Sequence, residues 1–243
     1  MSLVITVYVR EGMVMAADSR LTLTIPRGPL DGHQHMLSVT TSDSAKKLFL
    51  APNNVGIATC GSADIGGVPI AGFVESFMIE KLEGKNLIAS QVVDELKQYF
   101  SALGVRARTI FHVAGYAPLA TGGAEQTVFI VDPAANTSSR LNTHGQEGAN
   151  WGGEVDVMQR LLNEVSLVLP GDLPPLPVAH FGVPFQFFTL QDAVDFAFYG
   201  IRSTIETLRF QTREKTVGGP IDVLVITPEN SRWIAQKQLT IPT

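Results

Sequence analysis

The run Ser2-Leu3-Val4-Ile5-Thr6-Val7-Tyr8-Val9-Arg10-Glu11-Gly12-Met13-Val14-Met15-Ala16-Ala17-Asp18-Ser19-Arg20 decides how the rest of the chain is read. Two apolar runs, residues 3–9 and 13–17, flank a short turn at Arg10-Glu11-Gly12, the pattern of a β-hairpin. The first strand therefore has only Met1 and Ser2 ahead of it in this sequence. Removal of Met1 gives Ser2 a free α-amine with an ordinary pKa of about 7.7–8.0, so a hydroxyl nucleophile and a near-neutral base share one residue.

Working outward, 243 residues at 45% hydrophobic and 17% charged suit one domain over 1–243 with a sizeable core. A formal charge of −5 and the absence of a basic run exclude nucleic acid as an expected partner. Cys60 is the only cysteine, which rules out an intrachain disulfide and permits a reducing compartment. The opening apolar run has no basic region before it and is broken by Arg10 and Glu11, unlike a signal peptide. No stretch approaches the roughly 18 continuous apolar residues of a membrane span. The expectation is a cytoplasmic protein without a membrane partner.

Residues 21–44 carry Pro26, Gly28, Pro29 and Gly32 with a Thr/Ser cluster, and read as a long solvated connection or a lid over a cleft. His33 and His35 lie within it without further ligands at metal spacing. Residues 47–50 and 55–59 read as a second hairpin turned by Pro52-Asn53-Asn54. Residues 64–83 and 89–103 carry apolar side chains at helical spacing. Residues 108–116, 127–132 and 138–143 are strand-like. A glycine-rich lead from Gly145 to Gly153 precedes a helix over about 154–165, without the fingerprint of a nucleotide fold. Residues 166–188 form a Pro-rich connection. A last helix starts at Thr189, where Asp192 three residues on makes a capping pair.

Four stretches then carry a resemblance: Gly12-Met13-Val14-Met15-Ala16-Ala17-Asp18-Ser19-Arg20, Ala45-Lys46-Lys47-Leu48-Phe49, Gly56-Ile57-Ala58-Thr59-Cys60-Gly61-Ser62-Ala63-Asp64, and Val217-Gly218-Gly219-Pro220-Ile221-Asp222-Val223-Leu224-Val225-Ile226-Thr227. In this order the chain resembles the proteasome-type, 20S β-subunit-like N-terminal-nucleophile hydrolases, as a bacterial proteasome homologue. The sixteen positions from Ser2 to Asp18 and the fourteen from Lys47 to Gly61 are the family's spacings. The segments 21–44 and 166–188 are longer than their family counterparts and read as insertions.

The resemblance implies an α+β fold, a four-layer αββα sandwich, and amide-bond hydrolysis of the threonine/serine type. It implies Ser2 as nucleophile, Lys47 and Asp18 as the pair that activates it, and Gly61 N–H as oxyanion donor. Glu214 stands where the family has an aspartate that orients the amine. Arg20, Thr22 and Thr59 fall among substrate-binding positions. The serine that supports the family's amine corresponds to Ala149 or Asn150, and a second family serine to Val217. No cofactor or metal is implied. The implied substrate is a peptide or a small amide, and the implied assembly a homo-oligomeric ring or related oligomer. The absence of a helix before the first strand points to the β type rather than the α type. A catalytically silent scaffold of the same fold and a small-amide amidase are the rival readings.

Overall fold

The computed structural model describes residues 2–30, 33–104, 108–171 and 173–238. In chain order come strands β1 (Leu3–Val9), β2 (Gly12–Ala17), β3 (Leu21–Leu30), β4 (His33–Ser42), β5 (Leu48–Ala51) and β6 (Val55–Gly61). A small hairpin, β7 (Asp64–Ile65) and β8 (Val68–Pro69), precedes helix α1 (Ile70–Phe77), a π-helical turn over Met78–Leu82, and α2 (Ala89–Ala102). Strands β9 (Thr109–Pro118), β10 (Ala124–Asp132), β11 (Thr137–Arg140) and β12 (Gly148–Gly153) follow, then α3 (Asp156–Leu162). The chain closes with β13 (Ser166–Leu167), β14 (Leu176–Pro177), α4 (Leu190–Phe210), β15 (Asp222–Ile226) and β16 (Ser231–Ala235).

Two five-stranded antiparallel sheets dominate, ordered β12-β1-β2-β15-β16 and β11-β10-β9-β6-β5. Every residue of β1 and β2 is buried, which is why they read as continuous apolar runs: interior strands covered on both faces have no need of a polar side. The period of two is still kept in what each residue meets. Leu3, Ile5 and Val7 pack with Ala193, Ala197 and Ile201 of α4 and Met158 of α3. Val4 and Tyr8 join Met13, Met15 and Leu224 in a cluster with Leu48, Ala58, Cys60, Ala114 and Val128 of the other sheet. A third cluster sets Phe49, Ile57, Phe111 and Val113 of that sheet against Val74, Phe77, Val92, Leu96 and Phe100 of α1, α2 and the turn between them. The chain is thus of the α+β class, with antiparallel sheets and helices packed against them.

Several elements differ from the sequence expectation. Residues 21–44 are mostly a β-hairpin, running from Leu21↔Ser42 to Leu30↔His33, because Leu-Thr-Leu-Thr-Ile and Leu-Ser-Val-Thr-Thr alternate β-branched residues. The prolines and glycines gather toward its tip, where the register shifts. The side chains of His33 and His35 lie outside the described residues. The helix expected over 64–83 begins only at Ile70, since Gly66 and Gly67 take φ of +59° and +82° in a hairpin turn. The glycine-rich stretch before α3 is an edge strand, Gly148–Gly153, paired with β1. Helix α3 itself stops at Leu162. By contrast α2 matches its apolar spacing, and α4 starts at a reciprocal box in which Asp192 N–H donates to Thr189 Oγ1 and Thr189 N–H to Asp192 Oδ2.

Between the two sheets one polar pair is sealed in. Thr6, the inward residue between Val4 and Tyr8, meets His112 Nδ1 at 3.0 Å, and both are fully buried. His112 Nε2 has no partner within the described residues, and burial holds the ring down at about 4, against an ordinary 6.5. The unfolded chain binds a proton in that window which the folded chain refuses, so stability falls as pH drops from 6.5 toward 4, by about 3 kcal/mol from this residue. Urea unfolding at pH 7.5 and pH 4.5 tests this: His112→Gln is expected to flatten the acid loss by about that amount, and an unchanged slope would exclude His112 as its source.

Candidate active site

The first strand pair delivers Asp18 to the point where three segments meet. Its own N–H donates to Leu3 O at 3.2 Å, the last rung of the β1–β2 ladder. Its carboxylate accepts Leu3 N–H at 2.9 Å and Lys47 Nζ at 2.8 Å on Oδ1, and Arg20 N–H at 3.1 Å and Gly218 N–H at 3.0 Å on Oδ2. Asp18 is completely buried, and four donors match the roughly four lone-pair sites of an ionised carboxylate.

Lys47 lies just before β5 and is 4% exposed. Its ammonium donates to Asp18 and, at 2.5 Å, to Arg20 O. Its own carbonyl accepts Thr59 N–H at 2.9 Å. Burial pushes the Lys47 pKa down from its usual value, opposed by the charge and hydrogen bond of Asp18.

Ser2 sits directly ahead of β1 and is buried. Its carbonyl accepts Glu154 N–H at 2.8 Å. Gly153 alongside has φ +100°, and a Cβ there would overlap the Ser2 carbonyl oxygen, so only glycine fits. Ser2, Lys47, Thr59, Cys60 and Ser62 line one narrow cleft, whose other walls include Leu21, Ala45, Ala63 and Ile70. Gly61, between Cys60 and Ser62, has φ +101° and would press any Cβ into the Arg108 carbonyl.

The structure therefore brings Ser2, Asp18, Lys47 and Thr59 to one place, and Gly61 lies between two residues, Cys60 and Ser62, that line the cleft. Thr22 is buried nearby in sequence at the start of β3, its hydroxyl without a partner among the described residues. Arg20 is turned to other work: its guanidinium clamps Asp43 at 2.6 and 2.7 Å and donates to Lys215 O at 3.1 Å. Glu214 is exposed and has no hydrogen bond or ion pair among the described residues. Val217 is buried with the α4 cluster. Ala149 and Asn150 pair with Val7 and Thr6, well along β1, whereas Gly153 pairs with Leu3 and Glu154 bonds Ser2.

Glu154 is the residue that sequence reasoning missed. Its carboxylate receives Thr216 Oγ1–H at 2.7 Å and Arg213 Nη1–H at 3.0 Å, while Arg213 Nη2 reaches Asp156 at 2.9 Å. Some sixty positions separate Glu154 from Thr216, and no local spacing announces that contact. The Cys60 thiol is pushed up to about 12 by burial, which makes it a small core residue rather than a nucleophile. No cluster of three or more His, Cys, Asp or Glu able to hold a metal occurs among the described residues.

No protein-family model and no curated protein matches this chain. The site is therefore judged on its own geometry. Asp18→Ala would leave the Lys47 ammonium buried without its counter-ion and three backbone N–H groups without an acceptor, a loss of about 3–5 kcal/mol. The double variant Asp18→Ala/Lys47→Met is expected to lose less than the two single losses added, in urea unfolding; strict additivity would show that the pair is not coupled.

Proposed function

We propose that this chain is a serine-type N-terminal-nucleophile amide hydrolase of the proteasome β-subunit kind, its scaffold a four-layer αββα sandwich. The three core clusters, helices against each sheet and the sheets against one another, support the scaffold reading. The observation that carries the chemical reading is the buried Asp18–Lys47 pair in contact with Leu3, one residue from a serine that shares the Lys47 cleft. A buried lysine held by a single carboxylate beside a hydroxyl is costly as mere structure; beside an amine-terminal serine it has a use.

The reading requires removal of Met1. Ser2 Oγ then attacks the carbonyl of an amide, and its proton passes to the Ser2 α-amine, directly or through water. The amine returns that proton to the leaving nitrogen as the C–N bond breaks, leaving an ester on Ser2. Water, deprotonated by the same amine, hydrolyses the ester and restores the hydroxyl. Lys47 supplies positive charge beside Oγ, and Gly61 N–H faces the developing oxyanion, a kind of donor whose loss costs roughly 10²–10³ in rate. Glu154, rather than Glu214, holds the amino-terminal residue, through its N–H on the Ser2 carbonyl and its clamp to Arg213 and Thr216.

The chemistry needs no cofactor, and the substrate class is a peptide or small amide handled by a homo-oligomer in the cytoplasm. A second reading, a catalytically silent subunit of the same scaffold, is favoured by the buried Val217 where a hydroxyl is expected and by the exposure of Glu214.

Intact mass spectrometry of the protein expressed from its own start, with and without an active-site-directed acylating inhibitor, separates the two. Loss of the Met1 mass and one adduct mapping to Ser2, absent in Ser2→Ala and reduced at least tenfold in Lys47→Met, is the expected result. Retained Met1 with no adduct would sink the hydrolase reading in favour of the silent subunit.

A further inference from the structure

Lys46 and Lys47 are neighbours in sequence and part company in the fold. Lys47 turns inward to Asp18, while Lys46 stays partly exposed. The Lys46 ammonium donates to Glu75 Oε1 of α1 at 3.0 Å and lies 4.9 Å from the centre of the Phe49 ring. A second ion pair stands close by. Asp222, the first residue of β15, is 2% exposed, and one residue just beyond β16 takes both of its oxygens. Lys237 N–H donates to Oδ1 at 2.7 Å, and Lys237 Nζ donates to Oδ2.

Both pairs line one cavity of about 620 Å³, together with Ser44 and Leu48. Sites for small molecules commonly fall between roughly 300 and 1,000 Å³. An ammonium has three donors, and among the described residues each of these two makes one hydrogen bond, to its own carboxylate. Donors on two cations are therefore left for a guest.

The two pairs differ in how firmly they are held. The side chains of Lys237 and Asp222 are 14% and 3% exposed, and separating them would leave a buried charge uncompensated. Those of Lys46 and Glu75 are 40% and 52% exposed, and a pair this open contributes little to stability. One pair is fixed, and the other is free to exchange its partner for a ligand's charge.

The balance of charge decides which ligand fits. Two cations and two anions face the cavity, so it is neutral as a whole. An anion that takes Lys46 leaves Glu75 without its partner, and a cation that takes Glu75 does the same to Lys46. A molecule with both charges satisfies both residues at once. We propose that this cavity binds a small zwitterion, a free amino acid or a short peptide with both ends uncapped, its carboxylate on Lys46 and its ammonium on Glu75. Lys46 also lines the cleft that holds Ser2, whereas Glu75 does not. Occupancy of the cavity thus acts on a wall of that cleft, and the binding itself does not depend on Ser2 being a nucleophile.

Calorimetric titration of the full chain with the dipeptide L-alanyl-L-alanine, and with its N-acetylated and C-amidated forms, tests this. The free dipeptide is expected to bind saturably at one site, with the same affinity in Ser2→Ala. Either cap is expected to weaken binding by about tenfold or more, as the loss of one charge-assisted contact does. Lys46→Met and Glu75→Gln, both at partly exposed positions, are expected to weaken it by a similar factor with unchanged circular-dichroism spectra. A dipeptide held in the Ser2 cleft instead would bind Glu75→Gln as it binds the wild type, and that result would overturn the assignment. Equal binding of the capped forms, or no saturable binding to the wild type at millimolar concentration, would overturn it as well.

Discussion

The Asp18 carboxylate is the point on which the site depends. It has no solvent to stabilise it, so its charge rests on one ammonium and three backbone N–H groups. Desolvating such a group is expensive, and only a full set of donors offsets it. Each donor belongs to a different part of the chain: the first residue of β1, the turn after β2, the residue just before β5, and a glycine ahead of β15. One anion thereby fixes four segments against one another, and the cleft beside Ser2 takes its shape from them.

The same arrangement sets a tension on Lys47. Burial favours the neutral amine, and Asp18 favours the ammonium. Two opposing influences therefore meet on this one side chain. On the other side of Ser2 a second set of charges, Glu154, Arg213 and Asp156, is partly open to solvent and holds the serine through its backbone. The buried set surrounds Lys47 at the cleft that Ser2 also lines, and the more open set holds the Ser2 carbonyl.

Apolar residues in this chain serve two ends. Those in β1, β2, β9, β15 and the faces of α1, α2 and α4 seal three clusters around two sheets. Those between α3 and α4 stay outside, on a rooted arm whose surface has almost no charge. Composition alone counts both populations as core. Their separation follows from the prolines, which deny the arm a place in either sheet ladder or in a helix.

The sequence by itself determined the elements whose signals are local. The apolar runs of β1 and β2 around Gly12, the helical spacing of α2, and the Thr189–Asp192 box at the start of α4 each depend on neighbours a few positions apart, so each was readable in advance. Asp18 and Lys47 were singled out by the resemblance and its spacings rather than by any local pattern, and the structure sets their side chains 2.8 Å apart. Only the tertiary structure decided the rest. Alternating Thr and Leu made a hairpin of residues 21–42 once its strands could pair, and pairing with β1 made a strand of a glycine-rich run. The exposure of Glu214 and the contact of Glu154 with Ser2 and Thr216 depend on how β12 lies beside β1 and how the chain enters β15. Those are contacts between residues far apart in sequence, and no local pattern encodes which of two carboxylates the fold will carry to the site.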